Sequence, residues 1–310
     1  MTTTGPSRPA ASPARTPSAL ERRYRRLLLA YPRPYRAAHG DELLDVLLES
    51  ADPGRTVPAL KEAWGLLVGG VRSRVIHQAR GSAWADGLHL AVTAVAAANL
   101  AALLPYAGTL PLWTPLSALA LLAILRGRVL AAFPLTLLTG VKAVAIAGGW
   151  QPLDLTLLPV HPTFLSDLPL YGDSSPPAVA AGYAVVLTGL LVLASRRQPV
   201  PTRSWWWCAV VPAAAWAGPD WMAESTALPL SLSRMAVETA AFGLAAAACY
   251  LARDHRWALA SGVYLLVASG RFIEFADHLT RQHLAYWGVL LVLTLGAAFA
   301  PFRQRRHCLD

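Results

Sequence analysis

Four charged side chains interrupt long apolar stretches of the sequence. They are Lys142, Glu238, Arg271 and Glu274. Charges inside segments of this kind are costly, and they usually mark an ion pair or a functional site. At about 1.5 Å of helix per residue, Lys142, Arg271 and Glu238 each lie roughly 20 Å from the membrane boundary on one and the same side. Glu274 lies one helical turn beyond Arg271.

Two interpretations of this intramembrane polar layer stay open. In the first, Lys142 or Arg271 pairs with Glu238, which neutralises both charges and fixes neighbouring helices. In the second, the layer lines a polar cavity that opens to the outside and binds a small external ligand or ion.

The elements that position these charges are apolar segments of membrane-spanning length. The 310 residues are 55% hydrophobic and 15% charged, whereas soluble proteins average about 25% charged residues. At about 20 residues per crossing, the sequence predicts an all-α, polytopic membrane helix bundle over residues 84–303, in contact with the lipid bilayer. We expect about eight spans, of which the second and fourth are short and the fifth contains Pro212: 86–105, 110–125, 129–149, 178–194, 205–222, 232–252, 257–276 and 284–302.

Arginine placement predicts the orientation of these spans. Alternate connections, at 126–128, 196–203, 253–256 and 303–306, carry ten arginines, and the opposite connections carry only Arg234 and Arg281. By the positive-inside rule, both termini are cytoplasmic and the bundle lies in the cytoplasmic (inner) membrane. Residues 304–310 then form a short cytoplasmic tail.

The chain before the first span is amphipathic and basic. Residues 1–18 have the composition of a disordered tail, and residues 19–81 predict a small cytoplasmic helical domain of three helices. The third of these helices places one apolar stripe on one side, formed by Leu60, Trp64, Leu67, Val68, Val71 and Val75. This prefix either docks on a partner or lies beside the membrane and orients the first span.

The run "ERRYRRLLLAYPRPYRAAHGDELLDVLLESA" resembles the N-terminal prefix of many actinobacterial membrane proteins and permease-like chains. It is also similar to the small helical HAAS-type domain, which in that family sits next to PadR-type transcriptional regulators. The resemblance covers residues of about 20 to 80 and implies an integral membrane protein of a sensing or regulatory system, with a cytoplasmic regulatory protein as partner. The residues that carry it are Tyr31, Pro32, Tyr35, Arg36, Gly40, Asp41 and Glu42.

Signatures of catalysis and cofactor binding do not occur in the sequence. It contains no Gly-rich phosphate loop and no nucleophile elbow, and no pair of histidines has the spacing of a zinc helix. We therefore expect no enzyme activity, no cofactor, no metal and no direct nucleic-acid binding. The long outer connection at 151–177 is either a lid over the bundle or an ordinary ordered loop.

Two functions follow as expectations. The first is a non-catalytic membrane component of a signalling or regulatory system, with a prefix that docks a cytoplasmic partner. The alternative is a small-solute permease or permease subunit that uses the intramembrane polar layer. The sequence does not specify the oligomeric state.

Overall fold

The structure is a computed structural model that describes residues 18–52, 54–78, 82–151, 153–172, 174–196, 200–217, 228–274 and 279–306. Every regular element in these ranges is a helix, as the composition predicts. The chain divides into two compact units, Met1–Gln78 and Ala79–Asp310. We call them the N-terminal unit and the bundle.

Three helices form the N-terminal unit: α1 (Ala19–Leu27), α2 (Arg33–Glu49) and α3 (Leu60–Gln78). The Ser18 hydroxyl caps α1 by accepting a hydrogen bond of 3.1 Å from the Glu21 N–H, because the first amides of a helix lack partners within it. A short 3-10 turn and Pro32 separate α1 from α2. Proline suits this boundary because it fixes its own backbone angle and restricts the residue before it.

The core of the N-terminal unit is small, and one buried tyrosine links α1 to α3 through a hydrogen bond. Its buried side chains are Leu20, Tyr24, Leu28, Leu44 and Leu66. The Tyr24 hydroxyl donates to the Glu62 carboxylate over 2.6 Å, and that carboxylate also accepts from the Ala59 N–H at 3.2 Å. Burial, and then the neighbouring Glu62 carboxylate, raise the pKa of Tyr24 to about 12, so this side chain remains a donor at neutral pH.

Glycines let α3 approach the turn after α1 closely. A Cβ atom at Gly70 would lie 2.5 Å from the Ala30 Cβ and 2.9 Å from the Ala30 carbonyl carbon. Arg74, one turn later, donates to the Ala30 carbonyl at 2.5 Å and to the Leu29 carbonyl at 2.6 Å. The glycine side of α3 therefore faces the unit, and the apolar stripe faces away from it.

The bundle is built from eight further helices in the described ranges. They are α4 (Ala83–Leu103), α5 (Trp113–Leu125), α6 (Val129–Ala147), α7 (Pro176–Ser195), α8 (Val210–Trp216), α9 (Leu228–Ala252), α10 (Arg256–Glu274) and α11 (Arg281–Arg306).

Five segments of the described bundle are long and apolar enough to cross a membrane. They are Ala83–Tyr106, Val129–Ala147, Pro176–Ser195, Leu232–Ala252 and Arg281–Pro301. This supports membrane embedding and does not confirm the count of about eight spans.

The other three predicted spans are not among these five segments, for separate reasons. Helix α5 has 13 residues, which is about 20 Å of helix against roughly 30 Å of hydrocarbon. The predicted span at 205–222 contains a 3-10 turn and the seven residues of α8, and its last five residues lie outside the described ranges. Helix α10 has the length of a span, and Arg256 and Arg271 lower its hydropathy.

Helix α4 occupies the centre of the bundle and packs against α5, α7, α8 and α10. Its apolar partners include Ile124 of α5 and Val186 and Leu190 of α7, which surround Val92. A Cβ atom at Gly189 of α7 would lie 2.5 Å from the Val92 Cγ2 atom, so a small residue is required where these two helices cross.

The long connection between α6 and α7 is packed against the ends of the helices. Val160 and Leu170 are buried with Tyr106, Leu110 and Trp113. The Tyr106 hydroxyl donates to the Leu168 carbonyl at 2.6 Å, and the Thr163 N–H donates to the Pro105 carbonyl at 2.9 Å. These contacts favour an ordered loop over a lid.

The close contact of α3 generates a paired prediction. Gly70→Ala places a methyl group against the Ala30 backbone, and overpacking of this kind lowers the free energy of unfolding by about 1–3 kcal/mol. Gly65→Ala is the matched control, since Gly65 is exposed, lies within α3 and has no atom within 4 Å of its added Cβ.

Because alanine favours helix over glycine by about 0.5–1 kcal/mol, the control variant stabilises the unit. Hydrogen exchange of residues 18–78, measured by mass spectrometry in the full chain, reports both effects. Equal protection in the two variants contradicts the packing described here.

Candidate functional site

Lys142 is the most deeply buried of the members of the predicted polar layer whose side chains are described. Its side chain lies on α6 and is 2% exposed, and its ammonium group forms an ion pair with Asp154 in the connection that follows α6. The Trp113 indole N–H donates to the other carboxylate oxygen at 2.7 Å, and the Thr156 hydroxyl donates to Asp154 at 2.6 Å. The ammonium nitrogen also lies 5.4 Å from the Trp113 ring centre, within the range of a cation–π contact.

The ionised state of Asp154 is stabilised by its donors. Partial burial raises the pKa of Asp154, and hydrogen bonds from Lys142, Thr156 and Trp113 outweigh that effect and lower it to about 2. Asp154 is thus a carboxylate at neutral pH, and the pair with Lys142 is formed by two full charges.

Glu238 has a separate set of partners. On the preceding turn of α9, the Arg234 Nε donates to Glu238 at 2.7 Å. The Tyr264 hydroxyl of α10 donates to the same oxygen at 2.8 Å, and the Tyr286 hydroxyl of α11 donates to the other at 3.0 Å. One carboxylate therefore joins α9, α10 and α11.

The predicted pairing within the polar layer needs correction, because Lys142 and Glu238 both have other partners. The connection after α6 turns back through Gly149, whose φ is +71°, and returns Asp154 to the Lys142 ammonium. The direction of each side chain was not predictable from residue counting. The side chain of Arg271 lies outside the described part of the chain, so its pairing remains a prediction.

Glu274 lies at a third place, near the start of α7. One oxygen of its carboxylate accepts a hydrogen bond from the Ser175 N–H, which belongs to the N-cap residue of α7. Its Oε2 atom is buried and has no hydrogen-bond partner among the residues that the structure describes. The three described members of the predicted layer thus belong to three sets of contacts.

The most extensive charged cluster was not predicted. It contains two carboxylates, two guanidinium groups and one imidazole: Asp86, Asp254, Arg203, Arg256 and His89. We call it the Asp86 network. Its formal charges balance, as expected for ionised groups removed from water.

Asp86 is the centre of this network. One of its oxygens accepts from Arg203 Nη2 at 2.5 Å, and the other accepts from Arg256 Nη1 at 2.6 Å. Arg256 is 1% exposed and also donates to Asp254 through Nη2 at 2.8 Å. The backbones approach closely here, since a Cβ atom at Gly87 would lie 2.9 Å from the Arg256 carbonyl oxygen.

His89 extends the Asp86 network to the end of α5. Its Nε2 atom lies 2.7 Å from the Ile124 carbonyl oxygen, and its Nδ1 atom lies 3.1 Å from Arg203 Nε. Because a carbonyl only accepts and a guanidinium only donates, Nε2 carries the proton and the imidazole is neutral. The backbone N–H of Arg203 donates to the Leu125 carbonyl at 2.7 Å.

A sequence signal for this network was available. Asp86 and His89 stand in the first two turns of an otherwise apolar span, and Arg203 and Arg256 flank spans on the same predicted side of the membrane. The arginines were interpreted only as topology signals for the connections. A carboxylate such as Asp86, in the first turn of a span, needs a cationic partner at the same membrane boundary, and Arg203 and Arg256 are such partners.

The prefix residues that carry the family resemblance divide into two groups. Tyr31, Pro32, Arg36 and Gly40 are half-buried, and Tyr31 stacks on Tyr35 with 5.0 Å between ring centres. The other three are exposed on α2: Tyr35, Asp41 and Glu42.

Comparison of the chain with protein-family models, with curated proteins and with solved structures gives no match. The resemblance of the prefix therefore remains a prediction.

The Asp86 network generates a stability prediction. Arg256→Met leaves Asp86 and Asp254 with less compensation, and removing one partner of a buried ion pair lowers the free energy of unfolding by about 3–5 kcal/mol. Arg126→Met is the control, since Arg126 is exposed and substitutions at such positions change stability by about 0.5 kcal/mol or less. Unfolding of the detergent-solubilised protein measures both variants, and equal stability contradicts the structural role of the network.

The Lys142–Asp154 pair predicts a dependence on pH. Because the pKa of Asp154 falls from 3.8 to about 2 in the folded protein, the stability it contributes is complete above about pH 4 and is lost as the pH falls towards 2. Asp154→Asn lacks this contribution at every pH. The difference in melting temperature between the natural protein and Asp154→Asn should therefore shrink between pH 4 and pH 2, and a constant difference contradicts the assignment.

Proposed function

We propose that the protein is a non-catalytic membrane component of a signalling or regulatory system, and that its N-terminal unit docks a cytoplasmic regulatory partner. The proposal is supported by the exposed side of α2. Tyr35, His39, Glu42 and Val46 recur at spacings of three and four residues, which places them on one face of the helix. All four are exposed.

This α2 face combines features that suit protein recognition. Tyr35 lies 5.2 Å from His39 between ring centres, and His39 lies 3.8 Å from the Glu42 carboxylate. Asp41, Asp45 and Glu49 are exposed beside them. Acidic side chains therefore flank the Tyr35 ring. Aromatic side chains frequently contribute most to binding energy, and complementary charge selects the partner. A partner with a basic surface fits this face.

The pairing of charges within the bundle supports a role other than transport. Lys142, Glu238 and Asp86 each have partners from the same chain, and contacts of this kind fix neighbouring helices. An ion or polar solute that used these groups would have to replace existing hydrogen bonds. The proposal includes about eight spans, with both termini in the cytoplasm, and the arginine distribution supports that topology.

One observation favours the alternative, a small-solute permease or permease subunit. Within the described ranges, the Oε2 atom of the Glu274 carboxylate is buried and has no hydrogen-bond partner, and such an atom could accept from a polar solute or bind a cation. Transport through this position requires Glu274 and does not require the N-terminal unit. The two functions therefore depend on different parts of the chain.

The test is a cross-linked pull-down from native membranes. It compares the full chain, a chain without residues 1–80, and the full chain with Asp41→Asn and Glu42→Gln. Asp52→Asn is the control, because Asp52 is an exposed carboxylate of the same unit that lies beyond the end of α2 and outside this face. All variants are first checked for equal membrane insertion and equal elution from a sizing column.

We expect a soluble protein that is captured by the full chain and by the control, and that is lost both on truncation and with the Asp41 and Glu42 substitutions. Capture of the same proteins by the truncated chain contradicts the docking function. In that case, loss of solute uptake by Glu274→Gln in the truncated chain would support the permease.

A further inference from the structure

The apolar stripe of α3 is unpartnered within the N-terminal unit. Leu60 is 86% exposed, Trp64 67% and Val71 54%. With the exposed Leu67 and Val68 and the half-buried Val75, these side chains cover an arc of about 100° on the helix. Exposed apolar surface of this extent usually marks a site of interaction with a protein or a membrane.

The exposure of the stripe does not mean that α3 lacks packing contacts, because α3 packs against the rest of the unit through its other side. Leu66 is buried in the core of the unit, and Gly69 and Gly70 meet Tyr31 and Ala30. The helix is therefore anchored on one side and offers a continuous apolar surface on the other.

We propose that the α3 stripe lies in the headgroup region of the anionic membrane that holds the bundle, so that α3 is an interfacial helix. An amphipathic helix of this kind buries its apolar face about 5–10 Å into the boundary between headgroups and acyl chains. The proposal does not rest on the docking function, because α2 and α3 present different surfaces.

Charge along α3 matches an anionic lipid surface. Lys61 and Arg72 are exposed, and at 100° per residue both fall beside one edge of the stripe. The single acid of α3, Glu62, falls on the opposite side, where its carboxylate accepts hydrogen bonds from Tyr24 and Ala59. Basic residues beside a membrane are attracted by anionic headgroups, and no carboxylate of α3 opposes them.

Trp64 and the chain connection support the same partner. Tryptophan prefers the headgroup level, where its ring is buried and its N–H remains hydrated. Helix α3 ends at Gln78 and the first apolar segment of spanning length begins at Ala83. The chain between them reaches at most about 18 Å, so α3 is tethered close to a membrane surface and its binding there is effectively intramolecular.

The experiment places a fluorescent probe on the stripe in the full chain. The three natural cysteines are replaced (Cys208→Ser, Cys249→Ala, Cys308→Ser), and one cysteine is introduced by Val68→Cys for labelling with a polarity-sensitive dye. Val46→Cys, on the exposed side of α2, is the control, since Val46 is 58% exposed and Val68 48%. The proteins are reconstituted in nanodiscs of phosphatidylcholine with or without phosphatidylglycerol.

With phosphatidylglycerol present, we expect blue-shifted emission from the probe at position 68, quenching by a lipid-attached nitroxide and loss of quenching by aqueous iodide. The probe at position 46 should show the opposite behaviour. Lys61→Gln with Arg72→Gln should restore iodide quenching at position 68, because the attraction to anionic headgroups is removed.

Two outcomes overturn the proposal. Iodide quenching at position 68 equal to that at position 46 means that the stripe faces water. Protection from both quenchers means that a protein surface covers it, from a second copy or from another part of the chain. Leu60→Cys provides a second probe site if Val68→Cys lowers the yield of folded protein. A failure here leaves the pull-down result on α2 unaffected, so the two proposals are tested separately.

Discussion

A charge that leaves water must find a partner in the same low-dielectric surroundings, and Asp86 meets this constraint for the centre of the bundle. Its two oxygens bind one guanidinium each, from Arg203 and from Arg256. These arginines belong to the segment before α8 and to the first residue of α10. Ion pairs thereby join α4, which packs against α5, α7, α8 and α10, to α10 and to the segment before α8.

The N-terminal unit solves a different problem, the shortage of apolar surface in a small domain. A unit of this size has a marginal core, yet α3 directs only Leu66 into it and leaves six apolar side chains outside. Glycine contacts, the Tyr24–Glu62 hydrogen bond and the Arg74 bonds to backbone carbonyls supply attachment without apolar bulk. The apolar residues that a larger domain would bury therefore remain available as a surface.

The fold class was predictable because it depends on composition summed over long segments. Gly40 does not mark a helix boundary, because α2 begins at Arg33, directly after Pro32, and runs through Gly40 without a break. Residue counting failed at α5, since the apolar run from 110 continues through a turn and the helix begins only at Trp113.

The charged sites were less predictable, because they depend on how the chain returns on itself. Nothing local to Lys142 identifies Asp154 as its partner, although the two are only 12 residues apart. Asp86 and Arg256 are 170 residues apart, and only the packing of α4 on α10 brings them together. Individual charges in apolar segments were therefore found from sequence, and their partners were not.

The separation of Asp86 from its partners has a consequence for biosynthesis. Chains emerge from the ribosome N-terminus first at about 5–20 residues per second. Since Arg256 follows Asp86 by 170 residues, the carboxylate of α4 waits roughly 10 to 30 s for its second guanidinium at that rate. For the last part of that interval Asp86 has one of its two guanidinium partners, because Arg203 follows it by only 117 residues. The Asp86 network is thus complete only after Arg256 has been synthesised, so the ion pair between α4 and α10 forms late in synthesis.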